Sequence, residues 1–123
     1  MRKSNVGVMS VDALIDRFAQ IAVEQDTALL GGQIAKFNRL YDRMTEVREE
    51  LKWREGDQRR ALLRLFDHPN MQVRLQAARS ALAVAPVEAR SQIEAIARSK
   101  WFPQAGDAGM CLFGLDDGTF KPT

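Results

Sequence analysis

The chain has 123 residues, 46% of them apolar, with a formal net charge of +2 and a pI near 9.0. That is the length of one domain with enough apolar side chain for a real core. The lone cysteine, Cys111, excludes an intrachain disulfide and fits a reducing, cytoplasmic setting. No run approaches the roughly 20 apolar residues of a membrane span, and Met1-Arg2-Lys3 is followed by no apolar stretch long enough for a signal peptide.

Residues 1–9 carry no periodicity and are expected to form a flexible N-terminal arm. Ser10 is a helix cap, because its hydroxyl can accept from the first free backbone N–H groups. Val11, Leu14, Ile15, Phe18, Ile21 and Ala22 then recur at helical spacing, and Gly31-Gly32 ends the helix. A second, longest helix is predicted over about residues 33–54, with Ile34, Phe37, Tyr41, Met44, Val47 and Leu51 as its apolar stripe.

Asp57 is the next cap, opening a short third helix whose buried face would be Leu62, Leu63 and Phe66. Pro69 breaks it, since proline lacks the N–H and clashes with the preceding turn. Asn70 caps a fourth helix with Val73, Ala77, Ala81 and Leu82 facing inward and Ala78 beside them. The small Ala77-Ala78 pair lets two helix axes approach closely. Pro86 suits the first turn of a fifth helix, with Ile93, Ile96 and Ala97 inside. Ala105 to Leu115 can form a sixth despite three glycines, and Gly118 is its stop. No alternating strand pattern occurs. A faint, degenerate repeat of period 31 lays Leu62, Leu65 and Phe66 on Ile93, Ile96 and Ala97, Ala77-Ala78 on Ala108-Gly109, and Leu82 on Phe113, while Arg74 falls on Ala105.

The fold expected from these elements is all-α: a short α-α superhelix, HEAT/armadillo-like, of three helical hairpins. One domain covers 10–118 and residues 119–123 form a tail. The most telling stretch is Asp67 to Leu82, where a polar turn joins an apolar helical run to a helix carrying Val73-Arg74 and Ala77-Ala78.

Chemistry is hard to find. His68 is the only histidine and precedes Pro69 in a turn, with no further ligands at metal-binding spacing. Cys111 has no activating base nearby in sequence, and Met110, Leu112 and Phe113 around it favour a small buried residue. The carboxylates Glu46, Glu49, Glu50, Asp116 and Asp117 lack surroundings that would desolvate them. The glycines follow no strand and make no phosphate loop. The expectation is a chain that is not an enzyme and holds no cofactor or metal.

Thirteen of the eighteen basic residues are Arg. Lys52, Arg54, Arg59, Arg60 and Arg64, with Trp53 among them, form the best nucleic-acid candidate. Glu49, Glu50, Glu55 and Asp57 are interleaved with them, which favours a salt-bridged surface. Arg74 reads first as a brace on neighbouring turns and second as a ligand contact. Asn38 and Tyr41 lie within the second helix, where Asn is a poor helix former; Asn38 reads first as an Asn tolerated on the surface and second as a hydrogen-bonding group for a partner or the adjacent hairpin.

Residues 10–121 resemble a bacterial family of small all-helical proteins of uncharacterised function with a HEAT-like fold. The resemblance is carried by Asn38-Arg39-Leu40-Tyr41-Asp42, Leu51-Lys52, Val73-Arg74, Ala77-Ala78, Ala108, Leu112, Gly118 and Phe120-Lys121-Pro122. It implies an α-α superhelix and no known enzymatic activity, and supplies no ligand or catalytic residue. By analogy of fold, some small helical-repeat proteins of bacteria are immunity proteins that plug a toxin.

The resulting expectation is a non-enzymatic protein-binding module, adaptor- or immunity-like. Its partner surface would be lined by Asn38, Tyr41, Arg74 and Arg79, with Trp101 near its end. The alternative is nucleic-acid binding through the Lys52–Arg64 cluster. Homodimerisation through an exposed terminal face is a secondary expectation.

Overall fold

The computed structural model describes residues 5–123. Among the described residues it is all-helical: α1 (Val11–Leu30), α2 (Ile34–Trp53), α3 (Met71–Ala81), α4 (Pro86–Arg98) and α5 (Gln104–Asp117), with 3-10 turns at Val6–Val8 and Gln58–Leu65. The chain divides into two compact units, Met1–Ala61 and Leu62–Thr123. Of the arm expected over 1–9, residues 1–4 lie outside the described residues.

In the first unit, α1 and α2 form an antiparallel hairpin. Ser10 Oγ accepts from Ala13 N–H at 3.0 Å and starts α1. Leu14, Phe18 and Ala22 of α1 and Met44, Val47 and Leu51 of α2 are buried almost completely. Gln25 is fully buried among them, its Nε2 reaching Met44 Sδ at 3.9 Å. The carbonyl of Val6 accepts from Arg54 Nη2 at 3.0 Å, and this ties the first 3-10 turn to the end of α2.

The apolar stripe predicted along α2 is buried only in its second half. Ile34 is 73% and Tyr41 40% exposed, and no residue from Ile34 to Arg43 is buried. At 100° per residue, Ile34 and Tyr41 sit well off the line of Met44, Val47 and Leu51. The core takes the latter line.

The third predicted helix is present but wound as a 3-10 helix, Gln58–Leu65. Asp57 does cap it: Oδ1 accepts from Arg59 N–H at 3.3 Å. A three-residue repeat aligns positions i and i+3, and Arg59, Leu62 and Leu65 are accordingly its buried edge. Leu63 and Phe66, expected inside, are half-buried.

In the second unit α3 packs on α4 and α5, and α4 packs on α5. Asn70 caps α3, its Oδ1 accepting from Val73 N–H at 3.1 Å. Ala77, Ala78 and Ala81 are fully buried, as are Ala89 on α4 and Ala108 on α5. With no side chain beyond Cβ, they let three helices share one small core. A buried amide pair joins α3 to α5, Gln104 Nε2 donating to Gln72 Oε1 at 2.9 Å.

Arg90 links α4 to α5 by bonding both Glu94 and Asp116. Gly118, at φ +84°, closes α5 in the left-handed conformation that glycine adopts without strain. The chain then folds back so closely that a Cβ on Gly114 would meet Phe120 Cβ at 3.2 Å.

Candidate functional site

The first unit exposes a continuous face of α2. Ile34, Asn38, Tyr41, Thr45 and Arg48 recur at intervals of three and four residues, so they stack one above another. Asn38 is exposed, and Thr45 and Arg48 are half-buried. Thr45 Oγ1 donates to the Tyr41 carbonyl at 3.0 Å, and Arg48 Nη2 reaches Thr45 Oγ1 at 3.5 Å. The face thus offers an apolar end, a phenol, a carboxamide and a guanidinium, on a rigid helix.

A second feature of this unit is a groove of about 330 Å³ between α1 and α2. Arg17, Glu24, Arg43 and Glu46 line it over a floor that includes Ile21, Leu40 and Val47. Its alternating charges give no net field for an anion or a cation.

The other three residues expected to line the partner surface belong to the second unit. Arg74 donates from Nε to the His68 carbonyl, and His68 Nδ1 accepts from Asn70 N–H at 3.0 Å. Arg74 therefore braces the turn before α3. Arg79, also on α3, brings its positive charge close to Cys111 of α5, and its Nε is buried without a hydrogen-bond partner. Trp101 lies in the turn between α4 and α5 and is 62% exposed. Asn38 and Tyr41 share a face. Arg74 is engaged within its own unit, on the His68 carbonyl.

Cys111 is buried, and burial pushes its thiol pKa up while the Arg79 charge pulls it part of the way back. A raised pKa keeps the thiol protonated and a poor nucleophile. Among the described residues no group of three or more His, Cys, Asp or Glu side chains is placed to hold a metal ion. Among the described residues no helix is long and apolar enough to cross a membrane.

The basic cluster is largely occupied. Arg54 Nε pairs with Glu50 at 2.8 Å. Arg59 is 6% exposed and grips both oxygens of Asp57, at 2.9 and 2.7 Å. Lys52 Nζ lies 5.0 Å from the centre of the Trp53 ring, and Trp53 Nε1 donates to Glu49 at 3.2 Å. Of the interleaved carboxylates seen in the sequence, Glu50 and Asp57 are the partners of cations in this cluster.

The Asp57–Arg59 pair makes stability pH-dependent. The hydrogen bond from Arg59 holds the Asp57 carboxyl below its ordinary value, against the opposing effect of burial. A carboxyl with a depressed folded-state pKa stabilises the fold above the unfolded value, about 3.9. That contribution is lost as pH falls through the lower folded value. Asp57→Asn, which keeps a residue tolerant of the local φ of +48°, should cost about 0.5–1 kcal/mol at neutral pH. The difference in melting temperature between wild type and variant should shrink toward zero on acidification below that range. A difference independent of pH would assign the effect to backbone conformation.

An all-helical chain with a small-residue three-helix core, no catalytic set legible in its sequence and an exposed mixed face defines a class of small helical proteins. The chain belongs to the family described as Domain of unknown function (DUF2019), which matches residues 12–116. It is similar to the crystal structure of the protein RPA1889 from Rhodopseudomonas palustris CGA009, at 64% sequence identity and a TM-score of 0.95. That likeness covers 98% of this chain and 100% of the other. Among curated proteins, nothing matches.

The linear reading did not single out Ile34, Thr45 and Arg48 as companions of Asn38 and Tyr41. The signal was present in their spacing, but Ile34 and Tyr41 also fit the core stripe, and the sequence does not say how far along α2 the core extends. Nor did it find the exposed face of α5, where Phe102, Met110 and Phe113 are 68%, 71% and 65% exposed.

Proposed function

We propose that this protein is a non-enzymatic protein-binding module that docks a protein partner through the outer face of α2, centred on Asn38 and Tyr41. The observation that carries this reading is the first half of α2, which keeps apolar and aromatic residues where no core covers them. Aromatic anchors beside hydrogen-bonding groups on a rigid element are what protein interfaces use as hot spots. A HEAT-like architecture is supported within the second unit by the buried Ala77-Ala78 pair and by the Arg74 brace. Such helical stacks commonly hold partners. The protonated Cys111 thiol supports the non-enzymatic reading.

Nucleic-acid binding through Lys52 to Arg64 is disfavoured, because Arg54 and Arg59 already face carboxylates and an exposed phosphate-binding field needs cations that are free. The test is capture from native lysate, with nuclease and at low and high salt, comparing wild type with Asn38→Ala/Tyr41→Ala. A partner retained by wild type at high salt and weakened by about 30-fold or more in the double variant is expected. Capture that is equal for both proteins, or that disappears with nuclease, would overturn the reading.

A further inference from the structure

The internal repeat does not bury its two copies alike. Ala77 and its counterpart Ala108 are both fully buried. Ala78, however, is fully buried and its counterpart Gly109 is exposed, with nothing within 4 Å of where a Cβ would stand. Leu82 is 4% exposed and its counterpart Phe113 is 65% exposed. A helical stack needs a polar outer face on its last unit to stay soluble. Here the last helix carries Gly106, Gly109, Met110 and Phe113 within about 100° of arc, directly opposite the buried Gln104, Ala108 and Cys111. Phe102 extends this face from the preceding turn, its ring 3.7 Å from where a Cβ on Gly106 would lie.

We infer that this face of α5 is covered by the same face of a second copy of the chain, in an antiparallel two-fold pair. Three observations select that occupant. Phe102, Gly106, Gly109 and Phe113 are spaced four, three and four residues apart. The pattern therefore reads identically in both directions, so a two-fold pair sets like residues against like. An antiparallel partner sets the open Gly109 of each copy against the Phe102 ring that lies over Gly106 of the other, with Phe113 alongside at each end. The charges are complementary in the same arrangement. Arg98 at the end of α4 and Lys100 just before α5 are exposed at one end, and Asp117 is exposed at the C-terminal end of α5, beside the Asp116 that Arg90 holds. Antiparallel pairing brings basic end against acidic end twice.

The area fits a weak, reversible pair. With roughly 200 Å² for each large side chain, the exposed fractions of Phe102, Met110 and Phe113 leave about 400 Å² per copy. A pair then buries on the order of 800 Å² before rim atoms are added, the size of a transient interface.

Sedimentation velocity of the full chain should show a concentration-dependent species of twice the 13.8 kDa chain mass. Phe113→Asp, an exposed position, should leave the circular dichroism unchanged and raise the dimer dissociation constant by about 100-fold. Lys100→Glu and Asp117→Lys should each weaken self-association, while an equimolar mixture of the two re-associates, because each end of the mixed pair regains opposite charges. A wild type that is monomeric up to millimolar concentration overturns the inference. So does a dimer indifferent to Phe113→Asp, or a mixture of the charge variants no more associated than either alone.

Discussion

Phe18→Ala is expected to cost 3–5 kcal/mol, and to lower the melting temperature by about 10–20 °C. Phe18 is the largest fully buried side chain of the first unit. It lies in the middle of α1, which packs along α2, with Leu14 one turn before it and Ala22 one turn after, both completely buried. Truncation removes the apolar area of the ring and leaves a cavity between two helices that cannot simply close. Their separation is also set by Met44, Val47 and Leu51. Total stability for a domain of this size is about 5–15 kcal/mol, so the variant should be marginal at body temperature. Urea denaturation followed by far-ultraviolet circular dichroism measures it. A loss below about 1 kcal/mol would mean that α1 and α2 are not held by this core.

The second large effect is the opposite kind of error. Ala78→Leu should destabilise by about 1–3 kcal/mol, although it adds apolar volume at a buried helical position and Leu is a good helix former. Ala78 has no exposed surface, and its neighbours Ala77 and Ala81 on α3 have none either. Three extra carbons there must push α3 away from the helices it packs on. The same substitution at the repeat-related Gly109 meets open space and should remove a glycine from a helix interior at no packing cost to the monomer. Thermal melts of the two variants side by side, at concentrations where the chain is monomeric, check the contrast. Equal destabilisation would show that Gly109 has no more room for a larger side chain than Ala78 has.

The helix boundaries were legible because they depend on local chemistry. Ser10 and Asn70 cap α1 and α3 with the side-chain hydrogen bonds their residue types make. Pro86 stands at the first position of α4, and Gly118 takes the left-handed conformation that ends α5. The tight packing at Ala77-Ala78 was legible for the same reason, since two adjacent small residues on an apolar face have few other uses. Arg74 also went where it was expected, onto a carbonyl of the preceding turn.

The outer faces were legible only in part. The apolar neighbours Met110, Leu112 and Phe113 point to a buried Cys111, and Cys111 is buried while Met110 and Phe113 are exposed. Adjacent residues on a helix point in directions 100° apart, so an apolar cluster in sequence cannot say which of its members has a neighbour. Likewise Ile34 and Tyr41 matched a helical stripe whose later members, Met44, Val47 and Leu51, took the core.

What the amino-acid sequence determined by itself was therefore the class of the fold, the helical segments, most of their ends and the small-residue contacts. Each of these follows from the conformational preferences of a few consecutive residues. Tertiary structure alone decided three things. It wound Gln58–Leu65 as a 3-10 helix with Arg59, Leu62 and Leu65 along its buried edge. It paired the buried Gln72 and Gln104, 32 residues apart. It left the faces of α2 and α5 uncovered. These depend on which surfaces meet, and burial is a property of the packed pair that no single segment encodes.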